Sequence, residues 1–270
     1  MLKGSIYDFT RQYLDSVGSL EGKTVVDVPA GQGLMSLEFK RRGAKVVALD
    51  LYPEKIQVDV DEKLYVDMNS KFPIEDELAD IVICQEGIEH VTNQMGLMEE
   101  LNRILKHDGQ LIITSPSLSH VRARLSMLLV ESEYWRRLPA SEVDSVWFSE
   151  KETDRIYYGH FFLLSANRLR VLASLTGFGT EKRLRTSISM SSVVLFLLLF
   201  PLIAAITVLA TIDSYRKNRV DWSEKKKGVY IEQLRLNLSP VTLMCKDFLW
   251  VLRKRDSVQE ARKKLKLFTR

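Results

Sequence analysis

The chain predicts an α/β fold, a mostly parallel sheet with helices on both faces. Three observations carry this. Thr24–Phe39 (TVVDVPAGQGLMSLEF) reads as a buried strand, a tight glycine loop and the start of a helix, the unit with which such a sheet builds a ligand site at its carboxyl edge. Further apolar runs, Ala44–Asp50 and Asp80–Gln85, alternate with stretches of helical spacing. The length of 270 residues, 46% hydrophobic and 27% charged, suits one α/β domain with an additional element.

In chain order, Ile6, Phe9, Tyr13, Leu14 and Val17 recur at helical spacing and predict an N-terminal helix. Thr24–Val28 is the first strand, Pro29–Gly33 the loop, and Leu34–Arg42 a helix stopped by Gly43. Ala44–Asp50 is the second strand and Leu64–Val66 a short third. Asp80–Gln85 is the fourth, followed by a helix over Asn93–His107 with an apolar stripe from Met95 to Leu105. Asp108-Gly109 turns the chain into the fifth strand, Gln110–Thr114. Ser117–Arg137 reads as an amphipathic helix, and Tyr134, Trp135, Trp147 and Phe148 add aromatics after it. Ser165–Thr176 is a helix capped by Gly177, and Phe178–Arg185 a sixth strand.

The glycine loop has a chemistry of its own. Gly31 and Gly33 lack a Cβ, so a ligand can lie against the backbone, and the free N–H groups of the helix start face the same spot. A dinucleotide fingerprint wants a third glycine where this chain has Ser36. Asp27, ending the first strand, would repel a pyrophosphate but suits a ligand with an ammonium and a sulfonium, as S-adenosylmethionine has. Asp50, ending the second strand, can accept both hydroxyls of a ribose.

The segments VVDVPAGQG, VVALDL, DIVICQEGIEHV and LKHDGQLIITSP follow the order and spacing of motifs in class I S-adenosylmethionine-dependent methyltransferases, and the chain resembles that family over Val25–Phe178. The resemblance implies a Rossmann-like, seven-stranded sheet whose last strand is Phe248–Arg253, about residues 247–254, and an N-terminal helix covering the cofactor. It implies cofactor contacts at Asp27, Pro29, Gly31, Gln32, Gly33, Asp50, Leu51, Asp67, Met68 and Gln85, with Asp67 accepting from the adenine amino group. One departure is Pro29-Ala30, where the family usually has Gly-Cys or Gly-Ser.

Glu86, Glu89 and His90 stand at i, i+3 and i+4, so a helical turn there points all three one way. With His160 they form a donor set for Mg²⁺ or Mn²⁺, and less selectively for Zn²⁺ or Fe²⁺. The E-x-x-E-H arrangement with a later histidine is similar to small-RNA 2′-O-methyltransferases and to ubiquinone-pathway O-methyltransferases, where a metal activates the acceptor hydroxyl. Many members of the class carry Glu-His here without a metal, and then His90 or His160 is the candidate general base. His107 and His120 receive no role.

Thr186–Ile212 holds no charge, and in Val193–Ala210 only Pro201 and Thr207 interrupt the apolar run. That meets the membrane-helix length of roughly 18–20 residues. Residues 1–186 are net acidic and 213–270 net basic, so a span would carry the basic tail across, against the positive-inside tendency. The last strand must also rejoin the sheet. The expectation is a helical hairpin over residues 187–212 that bends at Pro201 and dips into one leaflet, between a catalytic domain at 1–186 and a basic segment at 213–270. Arg183, Arg185, Arg216, Lys217 and Arg219 would meet anionic lipid. Cys84 and Cys245 form no disulfide or zinc pattern, which points to a reducing compartment. The N-terminus lacks the long apolar stretch of a signal peptide.

The expected activity is therefore S-adenosylmethionine-dependent O-methylation of a membrane-associated acceptor, a lipid-linked saccharide or a prenylated quinone-type precursor. The expected location is the cytoplasmic face of a bacterial inner membrane, with membrane lipid as partner and no DNA. Two alternatives come from other classes: a metal-dependent RNA 2′-O-methyltransferase, and a non-catalytic S-adenosylmethionine-binding membrane adaptor.

Overall fold

The computed structural model describes residues 4–134, 137–149, 156–217 and 224–266. Helix α1 (Ile6–Val17) starts at a reciprocal cap in which Ser5 and Asp8 satisfy each other's backbone N–H. Then come β1 (Thr24–Asp27), α2 (Leu34–Arg41), β2 (Lys45–Asp50), β3 (Glu62–Tyr65), β4 (Ala79–Gln85), α3 (Gln94–Ile104) and β5 (Leu105–Pro116). Helix α4 (Val121–Val130) is followed by a small hairpin, β6 (Val146–Ser149) and β7 (Ile156–Tyr158). Helix α5 (Ala166–Leu175), β8 (Phe178–Arg183), α6 (Met190–Lys217), α7 (Glu224–Leu238), α8 (Pro240–Met244), β9 (Asp247–Lys254) and α9 (Val258–Lys266) complete the chain.

The seven-stranded sheet has the order β3-β2-β1-β4-β5-β9-β8. It is parallel from β3 to β5, and β9 pairs antiparallel with both β5 and β8. Alternate residues of the central strands face opposite layers. Val26, Val47, Val82 and Cys84 pack toward Leu97, Leu101 and Leu169 of α3 and α5. Val25, Val46, Ile83 and Ile112 pack toward Phe9, Leu14 and Phe39 of α1 and α2. The order reverses between β1 and β4, and their carboxyl ends open the crevice in which such sheets bind ligands.

The sheet matches the predicted class, and two predicted elements are corrected. The helix expected over Ser117–Arg137 is only α4, because Glu131 takes a left-handed conformation (φ 55°) and caps it. Of the aromatics noted there, Trp135 lies outside the described residues, as does Arg219. The expected hairpin bending at Pro201 is instead one helix, α6, of 28 residues that runs through Pro201 and past the boundary placed at residue 212. Proline removes one N–H from a helical ladder, but the long runs of helix on either side propagate through that single gap. A helical hairpin does exist, with α7 packed back on α6 and their connection at residues 218–223.

Helix α6 is rooted in the domain and bare beyond it. Ile188 bridges to Cys245, and Ser192 is the only residue of α6 that is fully buried. Leu197 and Leu198 are 68% and 70% exposed. By length and composition α6 is able to cross a membrane.

Candidate functional site

The loop after β1 makes a cavity of about 800 Å³ lined by Asp27, Pro29, Gly31, Gln32, Asp50, Gln85, Glu86 and Tyr157, among others. Asp50 braces this loop: Oδ2 accepts the Gly31 N–H at 2.7 Å and Oδ1 the Tyr52 N–H at 2.9 Å. Gly31 is left-handed (φ 55°), and a Cβ there would point into open space. Gly33 serves differently: a Cβ on it would meet Val58 Cγ2 at 2.3 Å, so it packs the base of the loop and does not line the cavity.

Asp27 is 1% exposed, and Ser36 Oγ donates to its Oδ2 at 2.6 Å. Burial pushes its carboxyl up to about 7, against the opposing Ser36 hydrogen bond. Ser36, the residue in place of a third glycine, thus holds the acid that the loop chemistry singled out. Gln85 Oε1 is buried without a hydrogen-bond partner among the described residues, a site demanding a donor. A carboxylate wanting a cation, an unsatisfied acceptor and an open glycine face fit an S-adenosylmethionine-type ligand. Leu51, Asp67 and Met68 line a separate space of about 40 Å³ with His90, and Tyr157 borders both cavities. Asp67 Oδ1 accepts the backbone N–H of Asn69 at 2.8 Å.

Glu86 marks the far end of the cofactor cavity. Its backbone is left-handed (φ 50°) and its Oε1 accepts from Thr114 Oγ1 at 2.9 Å. It also lines a second cavity of about 500 Å³ with His120, Arg122, Tyr134, Arg137, His160, Lys246 and Asp247. That cavity shares Glu133, Tyr134, Arg137 and His160 with an outer cleft of about 1010 Å³, whose apolar wall includes Leu138, Pro139, Val143 and Phe161. Burial is the main cause that raises the Glu86 carboxyl to about 7.

Glu89, His90 and His160 bring ligand atoms within 4.8 Å of one another. Glu86 stands outside this group, which corrects the expected four-residue set. The segment Ile88–His90 is a single 3₁₀ turn, and the left-handed Glu86 before it turns its side chain back to Thr114. Glu89 is fully buried and neither carboxyl oxygen has a hydrogen bond of good geometry among the described residues. Burial and the Glu86 charge raise its pKa, and Ser115 only tempers this. His90 Nδ1 lies 2.6 Å from the Tyr158 carbonyl, which can only accept, so the proton is on Nδ1 and Nε2 is the basic nitrogen. A metal-binding histidine is oriented in the same way. Burial lowers the His90 pKa to about 4. His160 Nδ1 is 2.8 Å from the Tyr134 hydroxyl, and the rings of His90 and His160 are 4.9 Å apart. His160 lines the second cavity, whereas His90 does not.

Sequence reasoning noted Tyr134 only as one aromatic among several, and missed Tyr157 and the β6–β7 hairpin. These residues lie far from the loop in sequence, and no local spacing signals them.

Residues 6–182 match the family described as a methyltransferase domain. The chain is similar to the ubiquinone biosynthesis O-methyltransferase of Xylella fastidiosa, 33% identical over 136 residues that cover 47% of this chain and 54% of the relative. It is also similar to that of Xanthomonas oryzae pv. oryzae, 32% identical over 136 residues covering 47% and 56%. The chain spans about half the length of these relatives. A solved Listeria monocytogenes protein described as an S-adenosylmethionine-dependent methyltransferase aligns over 93% of this chain and 100% of its own, with a TM-score of 0.52 and 12% identity. At that identity the likeness speaks for the fold alone.

Proposed function

This chain belongs to the methyltransferase-domain family, as a class I S-adenosylmethionine-dependent methyltransferase, and on that premise we propose that it O-methylates a membrane-resident amphiphile. The observation that carries the reading is the junction at Glu86, the one residue among those described that lines both the cofactor cavity and the cavity beyond it. The names of the relatives make a quinone-type precursor the first acceptor to try, with a lipid-linked saccharide second.

S-adenosylmethionine, when bound, supplies an electrophilic methyl group. Asp50 keeps the loop in shape, and Asp27 offers its carboxylate to the ligand's ammonium. Glu86, with a carboxyl near neutrality, takes the proton of the acceptor hydroxyl. The outer cleft seats the apolar part of the acceptor. Alignment of hydroxyl and methyl supplies most of the acceleration. Glu89, His90 and His160 are the residues that would hold a divalent metal, and its chemistry would be Lewis-acid polarisation of the acceptor oxygen.

The membrane reading rests on α6. Its return arm α7 carries Lys225, Lys226 and Lys227, while farther along Glu232 pairs with Arg183 at 2.8 Å against the domain. A spanning α6 would draw these lysines toward or through the hydrocarbon, at a cost of several kcal/mol. We therefore place α6 in one leaflet, on the cytoplasmic face of a bacterial inner membrane. Labelled methyl from S-adenosylmethionine should appear in an extractable lipid of native membranes. Label confined to protein or RNA defeats the proposal.

A further inference from the structure

The cavity beyond Glu86 collects cations from three separate segments. Arg122 comes from the first turn of α4, Arg137 from the loop after it, and Lys246 from just before β9. Arg122 and Lys246 make no hydrogen bond or ion pair through their side chains with a described residue. The guanidinium carbon of Arg137 lies 5.6 Å from the centre of the Tyr134 ring. Together with Arg124 and Lys246, Arg122 adds to the effect of burial on His120, holding that imidazole at about 4.

Three partly buried arginines elsewhere are ion-paired, whereas Arg124 has no ion pair among the described residues, and Arg137 and Lys246 of this cavity are exposed. Arg42 meets Glu38 and Asp15, Arg103 meets Glu100 and Asp76, and Arg183 meets Glu232. Three acids do line this cavity, Glu86, Glu133 and Asp247. Glu86 is engaged by Thr114 and Asp247 by Ser187, at 2.9 and 3.4 Å, and none of the three forms an ion pair with Arg122, Arg137 or Lys246 among the described residues. Burial raises the Asp247 carboxyl and its neighbour Lys246 lowers it, yet no acid in the cavity closes an ion pair with the two guanidinium groups or the ammonium among the described residues, and such groups lining one space suit a bound oxyanion.

We infer that the methyl acceptor carries an oxyanion, a phosphate ester or a carboxylate, which Arg122, Arg137 and Lys246 hold while the neighbouring hydroxyl meets Glu86. This rests on the O-methyltransferase reading and names its substrate class. The apolar part of the molecule lies in the outer cleft, along Leu138, Val143 and Phe161.

The test is calorimetry on the full chain with S-adenosylmethionine present, titrating decyl phosphate, decanoate and decanol below their aggregation limits. At least one anionic amphiphile should bind about tenfold or more tighter than decanol, and the tighter of the two tells phosphate from carboxylate. Arg122→Gln and Lys246→Gln should each remove most of that preference, whereas Lys71→Gln, on the loop after β3, should leave it. S-adenosylmethionine affinity, measured separately, should hold in all three and shows that they fold. Decanol binding as tightly as both anions overturns the inference. So does a result in which the two variants release phosphatidylglycerol vesicles yet keep the decyl phosphate preference, since the cations then read the bilayer and not the acceptor. Loss of S-adenosylmethionine binding by the wild-type chain, with the anion preference intact, sinks the methyltransferase reading alone.

Discussion

The centre of the sheet and the helix α6 are both unbroken apolar stretches, and they meet opposite fates. Ile83, Ile112 and Val251 are 0% exposed, while Leu197 and Leu198 are 68% and 70% exposed. The strands are a few residues long and receive helices on both faces, α1 and α2 on one and α3 and α5 on the other. Helix α6 is apolar around its girth, but α4, α7 and α8 reach only part of it. A stretch of this kind that is not covered by protein calls for another apolar phase. Composition alone does not separate the two regions; what each has beside it does.

The largest effect expected lies at the sheet's edge. Glu86→Gln should cut methyl transfer by about 100-fold or more, the scale of a lost general base, with S-adenosylmethionine affinity nearly unchanged. Single-turnover assays beside calorimetry measure both, and full activity in the variant removes Glu86 from the chemistry. Next, Ile112→Ala should cost about 2–5 kcal/mol in denaturant unfolding, because it empties a fully buried site in the layer between the sheet and α1 and α2.

The ligand-free protein should lose stability as pH rises from about 4 to about 7 through Asp27. Burial raises this carboxyl in the folded state to about 7, so over that window the folded chain holds a proton that the unfolded chain has released. Binding runs the other way. A cationic ligand wants the carboxylate, so S-adenosylmethionine affinity should rise about tenfold between pH 6 and 8. Asp27→Asn should flatten that slope, and an unchanged slope in the variant assigns it to another group.

The smallest effect sharpens the comparison most. Leu198→Ala should change unfolding stability by less than about 0.5 kcal/mol, since the side chain is already exposed. Leu198→Lys should nevertheless weaken sedimentation with anionic vesicles. Cysteines placed at Ser187 and Lys227 should label from the same side of sealed vesicles, and opposite sides would establish a span.

The glycine-loop half of the candidate site was legible because its logic is local. Asp27, Gly31 and Asp50 sit on one strand–loop–helix–strand unit, and spacing alone brings them together. Ser36 was legible only as a missing glycine; its bond to Asp27 needed the turn of α2. The Glu86–Glu89–His90 spacing was visible, but the geometry assumed a helical turn. One left-handed residue at Glu86 split the group, sending Glu86 to the cavity junction and leaving Glu89 and His90 to meet His160.

The chain by itself determined the strands of the seven-stranded sheet, their order along the sequence, the acid-and-glycine loop and the long uncharged run, because each is written in neighbouring residues. Tertiary structure alone decided that Pro201 interrupts no helix, that α7 returns along α6, and that Arg122, Arg137 and Lys246 share one cavity. Those outcomes depend on cooperative helix propagation and on which distant segments pack side by side, and no local pattern of residue types records either.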